Sequence, residues 1–267
     1  MRFVHFASVL MAGALIVAAL PAEAQSRHIR RNNWRQHNRG SGIYKGTPQR
    51  FALELRGGPY YYQLDDEPGL KKDVFKDTFK DPWFFYLGAE FDWQAVRIPW
   101  VGTLGPGVGI GHVSLSGDAF AAGTYGTANP ERKGETSWTI LPMHVSAVLR
   151  FDELFRRTQI PIVPYAKIGL GYGMWWCTTG SNDCKFTKAD GSSVIGKGAS
   201  YGVHWALGGA LALDFLGRRE MSALDQETGV NHIYIFGEWY NQNLGIFGTG
   251  QSYVGTSTWT TGLTFEM

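Results

Sequence analysis

Two short sequences of the form His-x-Ser hold the residues of this chain that are best suited to catalysis. They are His112-Val113-Ser114 and His144-Val145-Ser146. Residues two apart on an extended strand share a face, so either histidine could activate its serine for attack on an ester if a carboxylate oriented the imidazole. Alternation turns His144 and Ser146 inward, whereas His112 and Ser114 face outward near a predicted strand end. The candidate catalytic pair is therefore His112 and Ser114, although no acidic residue is evident beside it.

A second set of ionisable residues falls on one face of the predicted strands, the inward face. These residues make up the lumen network: Glu54, Arg56, Glu90, Asp92, His144, Arg150, Lys167, His204, Asp214 and Glu238. Charges removed from water must be paired, so the pattern predicts interlocked salt bridges and hydrogen bonds that close an interior space. The alternative is a narrow polar path for ions or small solutes. Neither a metal site nor a cofactor site is predicted.

The stretch SYGVHWALGGALALDF, residues 200–215, indicates which elements carry these residues. Bulky uncharged side chains alternate with small ones; the bulky row is Tyr201, Val203, Trp205, Leu207, Leu211 and Leu213. A helix would scatter the bulky residues around its axis and place two glycines in its interior, at about 1 kcal/mol each. A strand keeps the two rows on opposite faces. The small face suits a crowded interior, and the bulky face suits lipid.

The same alternation recurs in eight segments: 50–62, 84–97, 104–116, 138–151, 160–176, 200–215, 231–242 and 253–267. The predicted outer loops are 63–83, 117–136, 177–198 and 243–252, and the inner connections are 98–103, 152–160 and 216–230. The predicted fold is all-β: an eight-stranded antiparallel up-and-down transmembrane β-barrel with a short periplasmic helix at 218–224. The alternative, a soluble barrel with an apolar interior, would need charges on the outer face, and these are missing.

The N-terminal quarter of the sequence has a different character. Residues 1–24 combine an apolar core with the small-residue site Ala22-Glu23-Ala24, which predicts a secretory signal peptide. Residues 25–49 form a basic, disordered periplasmic arm that is expected to contact anionic lipid or cell-wall polymer. Export removes nucleic acid as a partner. The barrel, residues 50–267, is expected in the outer membrane with both termini in the periplasm.

Cysteines and aromatic residues mark the predicted strand ends. Cys177 and Cys184 follow a signal peptide, so a disulfide in an outer loop is predicted. Several aromatic residues are expected to form belts at the two membrane interfaces. They are Trp83, Phe84, Tyr86, Trp100, Trp175, Trp176, Trp205, Trp239 and Trp259.

The last eight residues, TTGLTFEM, resemble the terminal assembly signal of outer-membrane barrels. Gly262 and Phe265 occupy the expected positions, while Met267 stands where such signals usually end in Phe or Trp. The resemblance implies recognition by the barrel-assembly machinery.

A wider resemblance covers nearly all of residues 50–267. The segments FALELRGGPYY, AEFDWQAVRIP, LGPGVGIGHVS, ILPMHVSAVLRFD, PIVPYAKIGLGYGMWW and DQETGVNHIYIFGEWY, with VGTSTWTTGL, resemble a family of outer-membrane β-barrel proteins best known from myxobacteria and related deltaproteobacteria. What the resemblance implies is a small barrel in the outer membrane. It brings no activity, and therefore no catalytic residues.

The predicted function is a structural or surface-interaction role through the extracellular loops of a monomer embedded in outer-membrane lipid. An enzyme is not expected. The first alternative is a narrow channel or carrier for small solutes or apolar molecules. The second is an acyl hydrolase of lipid A or phospholipid, with His112 and Ser114 as its catalytic pair, because the dyad is similar to that of small-barrel lipid A deacylases.

Overall fold

The computed structural model of the protein describes residues 50–66, 73–81, 83–121, 124–158, 160–187, 193–213, 228–245 and 252–267. Four predictions lie outside these residues. They are the signal peptide at 1–24, the arm at 25–49, the helix at 218–224 and the inward position of Asp214.

Twelve strands and three short helices make up the described part of the chain. The strands are β1 Phe51–Tyr60, β2 Phe84–Trp93, β3 Val96–Ile98, β4 Gly102–Phe120, β5 Arg132–Arg150, β6 Ile162–Thr179, β7 Asn182–Asp183, β8 Lys185–Thr187, β9 Ser193–Ile195, β10 Lys197–Ala212, β11 His232–Leu244 and β12 Thr256–Glu266. The α-helices are α1 Val74–Phe79 and α2 Asp152–Thr158, and Leu64–Asp66 forms one 3-10 turn.

Eight of these strands close into a barrel. The order around it is β1, β2, β4, β5, β6, β10, β11 and β12, and β12 pairs with β1. Every neighbouring pair is antiparallel. The eight-stranded antiparallel barrel is therefore confirmed, with one long strand in each of the eight predicted segments.

Burial follows the predicted alternation along the barrel strands. In β2, Phe85 and Leu87 are exposed, whereas Glu90 and Asp92 are buried. The exposed apolar side chains form a continuous apolar belt around the wall. It includes Leu55, Phe85, Leu87, Phe91, Val108, Ile110, Val145, Ile168, Leu170, Leu207, Leu211, Ile235, Trp239, Trp259 and Leu263. Because no charged side chain interrupts these outward positions among the described residues, the belt is an uncharged surface.

The barrel wall has unequal heights. β4 and β5 each have 19 residues, whereas β1 and β2 each have 10. β4 and β5 thus extend into the segment 117–136, which the sequence predicts as a loop. Above Ile110 the alternation continues with polar residues outward, such as Ser114 and Ser116, and apolar ones inward, such as Leu115. A polar outward row resembles a loop in sequence, and this explains the error.

The helices lie at opposite ends of the barrel. We call the end with α1 and the β4–β5 turn the outer end, and the end with α2 the inner end. α2 occupies the connection 152–160, where no helix is predicted. Asp152 and Glu153 in its first turn and Arg156 and Arg157 in its last complement the helix dipole. Among the residues that the structure describes, no helix is long and apolar enough to cross a bilayer.

Candidate functional site: the charged layer inside the barrel

Six barrel strands contribute to a charged layer in the middle of the barrel. β1 supplies Glu54 and Arg56, β2 supplies Glu90 and Asp92, β5 supplies His144 and Arg150, β6 supplies Lys167, β10 supplies His204 and β11 supplies Glu238. All nine side chains are buried, with exposed fractions of 4% or less. The structure thus brings together every described member of the lumen network.

Glu54 is the centre of the layer. It accepts a hydrogen bond from Arg56 Nη2 at 2.6 Å and one from Lys167 Nζ, also at 2.6 Å. Arg150 Nη2 donates to its second oxygen. Three cations from three strands therefore converge on one carboxylate, which makes these charge-assisted bonds strong and directional.

Glu90 and Glu238 receive the remaining donors. Glu90 Oε2 accepts from Arg56, from Lys167 Nζ at 3.0 Å and lies 3.1 Å from His144 Nε2. Glu238 accepts from Arg56 Nη1 at 2.7 Å and, at its other oxygen, from the Tyr165 hydroxyl at 3.0 Å. Arg56 and Lys167 thereby join carboxylates that lie on three different strands.

The layer holds three fixed cations against four carboxylates. Asp92 has the fewest partners, because only Arg150 Nη2 bonds to it, at 2.6 Å. Asp92 Oδ1 and Glu90 Oε1 accept no hydrogen bond from the described residues. Oxygens of Glu54, Glu90 and Asp92 lie within 4.8 Å of one another, a spacing that could hold a metal ion. Each of these three carboxylates already pairs with at least one of Arg56, Arg150 and Lys167, so shared cations account for the closeness of the carboxylates.

Glycines on the inward face make room for the large side chains of the layer. A Cβ atom at Gly109 would overlap the His144 ring, and one at Gly111 would overlap the Tyr86 ring. The His144 ring in turn stacks on His204, with 3.9 Å between the centroids. The His204 Nδ1 atom lies 3.1 Å from the Asn241 carbonyl oxygen. The small row of the sequence pattern is therefore crowded by side chains from other strands.

The two His-x-Ser pairs lie in different environments. His144 and Ser146 are buried, and His144 bonds to Glu90. His112 and Ser114 face outward at the upper edge of the belt, as predicted. The Ser114 hydroxyl, however, lies 3.1 Å from the Ser137 hydroxyl. Among the described residues no carboxylate bonds to His112, so the structure supplies no third member for a catalytic triad.

An apolar layer, which the sequence analysis did not predict, fills the barrel between the lumen network and the outer end. Its buried residues are Tyr60, Leu64, Phe79, Tyr86, Val113, Leu115, Trp138, Ile140, Cys177, Cys184, Leu244 and Val254. Tyr86 is 1% exposed and packs between Tyr60 and Tyr240, so its predicted place in an interfacial belt is wrong. Trp175, half-buried, stacks on Trp138 at the edge of this layer. The apolar inward positions of β4 and β5 are the signal that could have found this layer.

A short cover closes the outer end above the apolar layer. Helix α1 packs against β4 at the outer end of the barrel, where Gly117 lies against Thr78 and Phe79. The ring of Phe75 meets Trp138 edge to face, with 5.3 Å between the centroids. Arg132 Nη2 donates to the Asp77 carbonyl oxygen at 3.1 Å. Helix α1 is thereby fixed to β4 and β5, the taller side of the barrel.

The disulfide and the chain terminus lie at opposite ends. The disulfide between Cys177 and Cys184 is confirmed; Cys177 lies within β6, so the bond joins that strand to the turn that follows it. At the inner end, the main-chain N–H groups of Arg50 and Phe51 donate to the Met267 carbonyl oxygen. Gly262 pairs with Arg56 and Phe265 with Leu53. The predicted assembly signal, Gly262, Phe265 and Met267, thus lies on the seam where β12 meets β1.

Comparison with known proteins finds likeness only to solved structures. No protein-family model matches the chain, and no curated protein matches it either. The attachment invasion locus protein Ail of Yersinia pestis is 8% identical, with a TM-score of 0.39, covering 82% of this chain and 97% of its own. OprG from Pseudomonas aeruginosa is 14% identical, with a TM-score of 0.44, covering 83% and 97%. Neisserial surface protein A is 12% identical, with a TM-score of 0.42, covering 84% and 100%.

All three TM-scores lie below 0.5, so these likenesses bear on neither the location nor the activity of this chain. The resemblance to the myxobacterial family remains a prediction, because no family model matches. What the chain itself shows is a closed eight-stranded barrel with a charged interior and an uncharged belt.

Proposed function

We propose that this protein spans a bacterial outer membrane through its barrel and acts at the cell surface through its outer end. The apolar belt is the observation that carries the proposal. A closed barrel pairs the backbone groups of its wall, which is the condition for a sheet to lie in lipid. The charged side chains are enclosed, and the bulky apolar side chains are exposed. The outer surface of the belt is therefore suited to contact with hydrocarbon and not with water.

Strand lengths support the orientation that we propose. About 9 to 11 residues of a tilted strand cross a bilayer, and β1 and β2 have 10 each. On β4 the outward residues change from Val108 and Ile110 to Ser114 and Ser116, which marks one membrane boundary. The 19-residue strands β4 and β5 extend beyond this boundary. The outer end would then face the medium, and both termini the periplasm.

The interior favours a structural or interactive role over conduction. The side chains of the lumen network and of the apolar layer are buried and occupy the interior one above the other, which supports a filled lumen rather than an open path. The outward surface of the β4–β5 extension and the ordered cover are the regions that a partner outside the cell would meet.

Two cysteine variants test the location and the orientation together. Asn129→Cys places a thiol at the exposed β4–β5 turn, and Thr158→Cys places one at the exposed end of α2. Both cysteines of the natural chain are in the disulfide. In whole cells, a membrane-impermeant maleimide should label Asn129→Cys and leave Thr158→Cys unlabelled, whereas lysed cells should show both labelled.

Labelling of Thr158→Cys but not of Asn129→Cys in whole cells would contradict the orientation. A purified chain that stays monodisperse without detergent and is labelled equally at both positions would contradict the membrane location. Conductance above the protein-free background in planar bilayers would support the channel alternative. Loss of an acyl chain from lipid A that depends on Ser114 would support the hydrolase.

A further inference from the structure

A groove on the outside of the barrel, at its inner end, has the features of a lipid-binding site. It has a volume of about 550 Å³ and lies between α2, the turn before β4 and the start of β6. Trp100, Phe151, Leu154 and Pro164 line its apolar side, and Glu153, Arg157 and Thr158 line its polar side. Trp100 is 76% exposed, which leaves a large aromatic surface at the groove.

The groove is continuous with the apolar belt. Ile162, two residues before the groove residue Pro164, is 47% exposed, and Phe151 is exposed as well. If the barrel spans the membrane as proposed, the groove lies where the hydrocarbon of the periplasm-facing leaflet meets its headgroups. Tryptophan and arginine are the side chains expected at that depth, because each combines an apolar body with a polar tip.

The charges around the groove favour an anion. The Arg157 guanidinium lies 3.6 Å from the centre of the Trp100 ring, and its Nε donates to Glu153 at 2.7 Å. Arg97 donates to Asp152 at 2.9 Å. Arg156 is exposed, and no carboxylate of the described residues pairs with it. Three arginines against two acids leave one positive charge in excess.

We propose that this groove binds one anionic glycerophospholipid of the periplasm-facing leaflet. The free nitrogens of Arg157, which lines the groove, would hold the phosphate, because guanidinium groups match phosphate oxygens in geometry and charge. Arg156 does not line the groove, but it is exposed next to Arg157 on α2 and would add positive charge beside the phosphate. The apolar side would hold the first part of an acyl chain. This inference rests on the proposed membrane location and adds a ligand class to it.

Native mass spectrometry of the detergent-purified full chain tests the inference with phosphatidylglycerol as the probe. The wild type should retain one phosphatidylglycerol more strongly than phosphatidylethanolamine. The double variant Arg156→Ala/Arg157→Ala should bind phosphatidylglycerol roughly 25-fold more weakly, because each basic residue near a lipid surface contributes about a factor of five. Arg157→Lys keeps the charge without the planar fork and should fall between the two.

Arg132→Ala is the matched control. Arg132 also lies over an aromatic ring, that of Phe120 at 3.8 Å, but at the outer end of the barrel. It should leave phosphatidylglycerol affinity unchanged. Slower migration on a gel after heating shows that each variant was folded. The inference is overturned if folded Arg156→Ala/Arg157→Ala keeps the wild-type affinity, or if Arg132→Ala weakens binding equally.

These results separate the two proposals. A chain that enters membranes but shows no dependence on Arg156 and Arg157 contradicts only the lipid site. A chain that needs neither detergent nor lipid contradicts the membrane location, and the lipid site with it.

Discussion

Two adjoining layers of the barrel interior are filled by opposite means. In the lumen network, Glu54 and its three cations depend on directional bonds between strands that are not all neighbours. In the apolar layer, Leu115, Ile140 and Leu244 depend on shape and on removal of apolar surface from water. One barrel can therefore contain both kinds of packing. The two layers should differ in how much of the free energy of unfolding is lost when one side chain is removed.

The largest effect is expected when one cation is removed from the lumen network. Arg56→Met should lower the free energy of unfolding by about 3 to 5 kcal/mol, because it leaves Glu54, Glu90 and Glu238 with fewer counter-charges in a buried space. Denaturant unfolding in phosphatidylcholine vesicles, followed by tryptophan fluorescence, measures this. Arg132→Met, at the exposed outer end, should change the same quantity by less than about 1 kcal/mol. Equal losses would show that the lumen network is not sealed from water.

A cavity in the apolar layer should have a smaller effect. Leu115 is fully buried, so Leu115→Ala should cost about 3 kcal/mol through lost burial and the space left behind. The same unfolding experiment applies. Leu207→Ala, on the outward face of β10, is the control and should cost less, since Leu207 is exposed and its loss opens no internal cavity. A loss at Leu115 below that at Leu207 would be inconsistent with a close-packed apolar layer.

Within the lumen network, two carboxylates should differ. Glu54 accepts from three cations and Asp92 from Arg150 alone. Glu54→Gln should therefore destabilise the protein by about 2 kcal/mol more than Asp92→Asn does, because the second change leaves fewer donors without an acceptor. Comparing the unfolding midpoints of the two variants decides the point. If Asp92→Asn proved the more harmful, the assignment of Glu54 as the centre of the layer would be wrong.

The smallest effect is expected at the inner end, in α2 beyond the barrel strands. The hydrogen bond from Arg157 holds the pKa of the Glu153 carboxyl below its ordinary value of 4.5. A lowered pKa stabilises the folded state above the ordinary value, and this contribution disappears as the pH falls through the folded value. Glu153→Gln should thus lower the thermal midpoint slightly at pH about 6, and this loss should shrink as the pH falls below 4.5. A difference that grew on acidification would contradict the pairing with Arg157.

Alternation in the sequence was enough to predict the wall of the barrel. It assigned Glu90 and Asp92 to the interior and Phe85 and Leu87 to the exterior, because successive side chains of a strand point to opposite faces. It also collected the residues of the charged layer into one set. Their pairing could not be predicted, since contact across a barrel between β1 and β6 depends on strand tilt and stagger, which no local pattern encodes.

The remaining differences have physical causes that can be traced to particular residues. Leu115 and Trp138 lie within predicted strands, but they were missed as interior residues because above the belt the outward row becomes polar and the inward row apolar, the reverse of the pattern in the belt. α2 was missed because it has only seven residues, too few for an apolar period to be visible. Its charge pattern, with Glu153 placed four residues before Arg157, was the signal available.

Because β4 and β5 are longer than β1 and β2, the barrel has a tall side and a short side. β4 and β5 pair from Thr103 opposite Arg150 to Phe120 opposite Arg132, with an irregularity in register between Ala119 and Phe120. The tip of this hairpin is the part of the barrel that a macromolecule arriving at the outer end would meet first. The same strand, β5, carries His144 and Arg150 of the charged layer, so a single strand connects that tip with the enclosed charges.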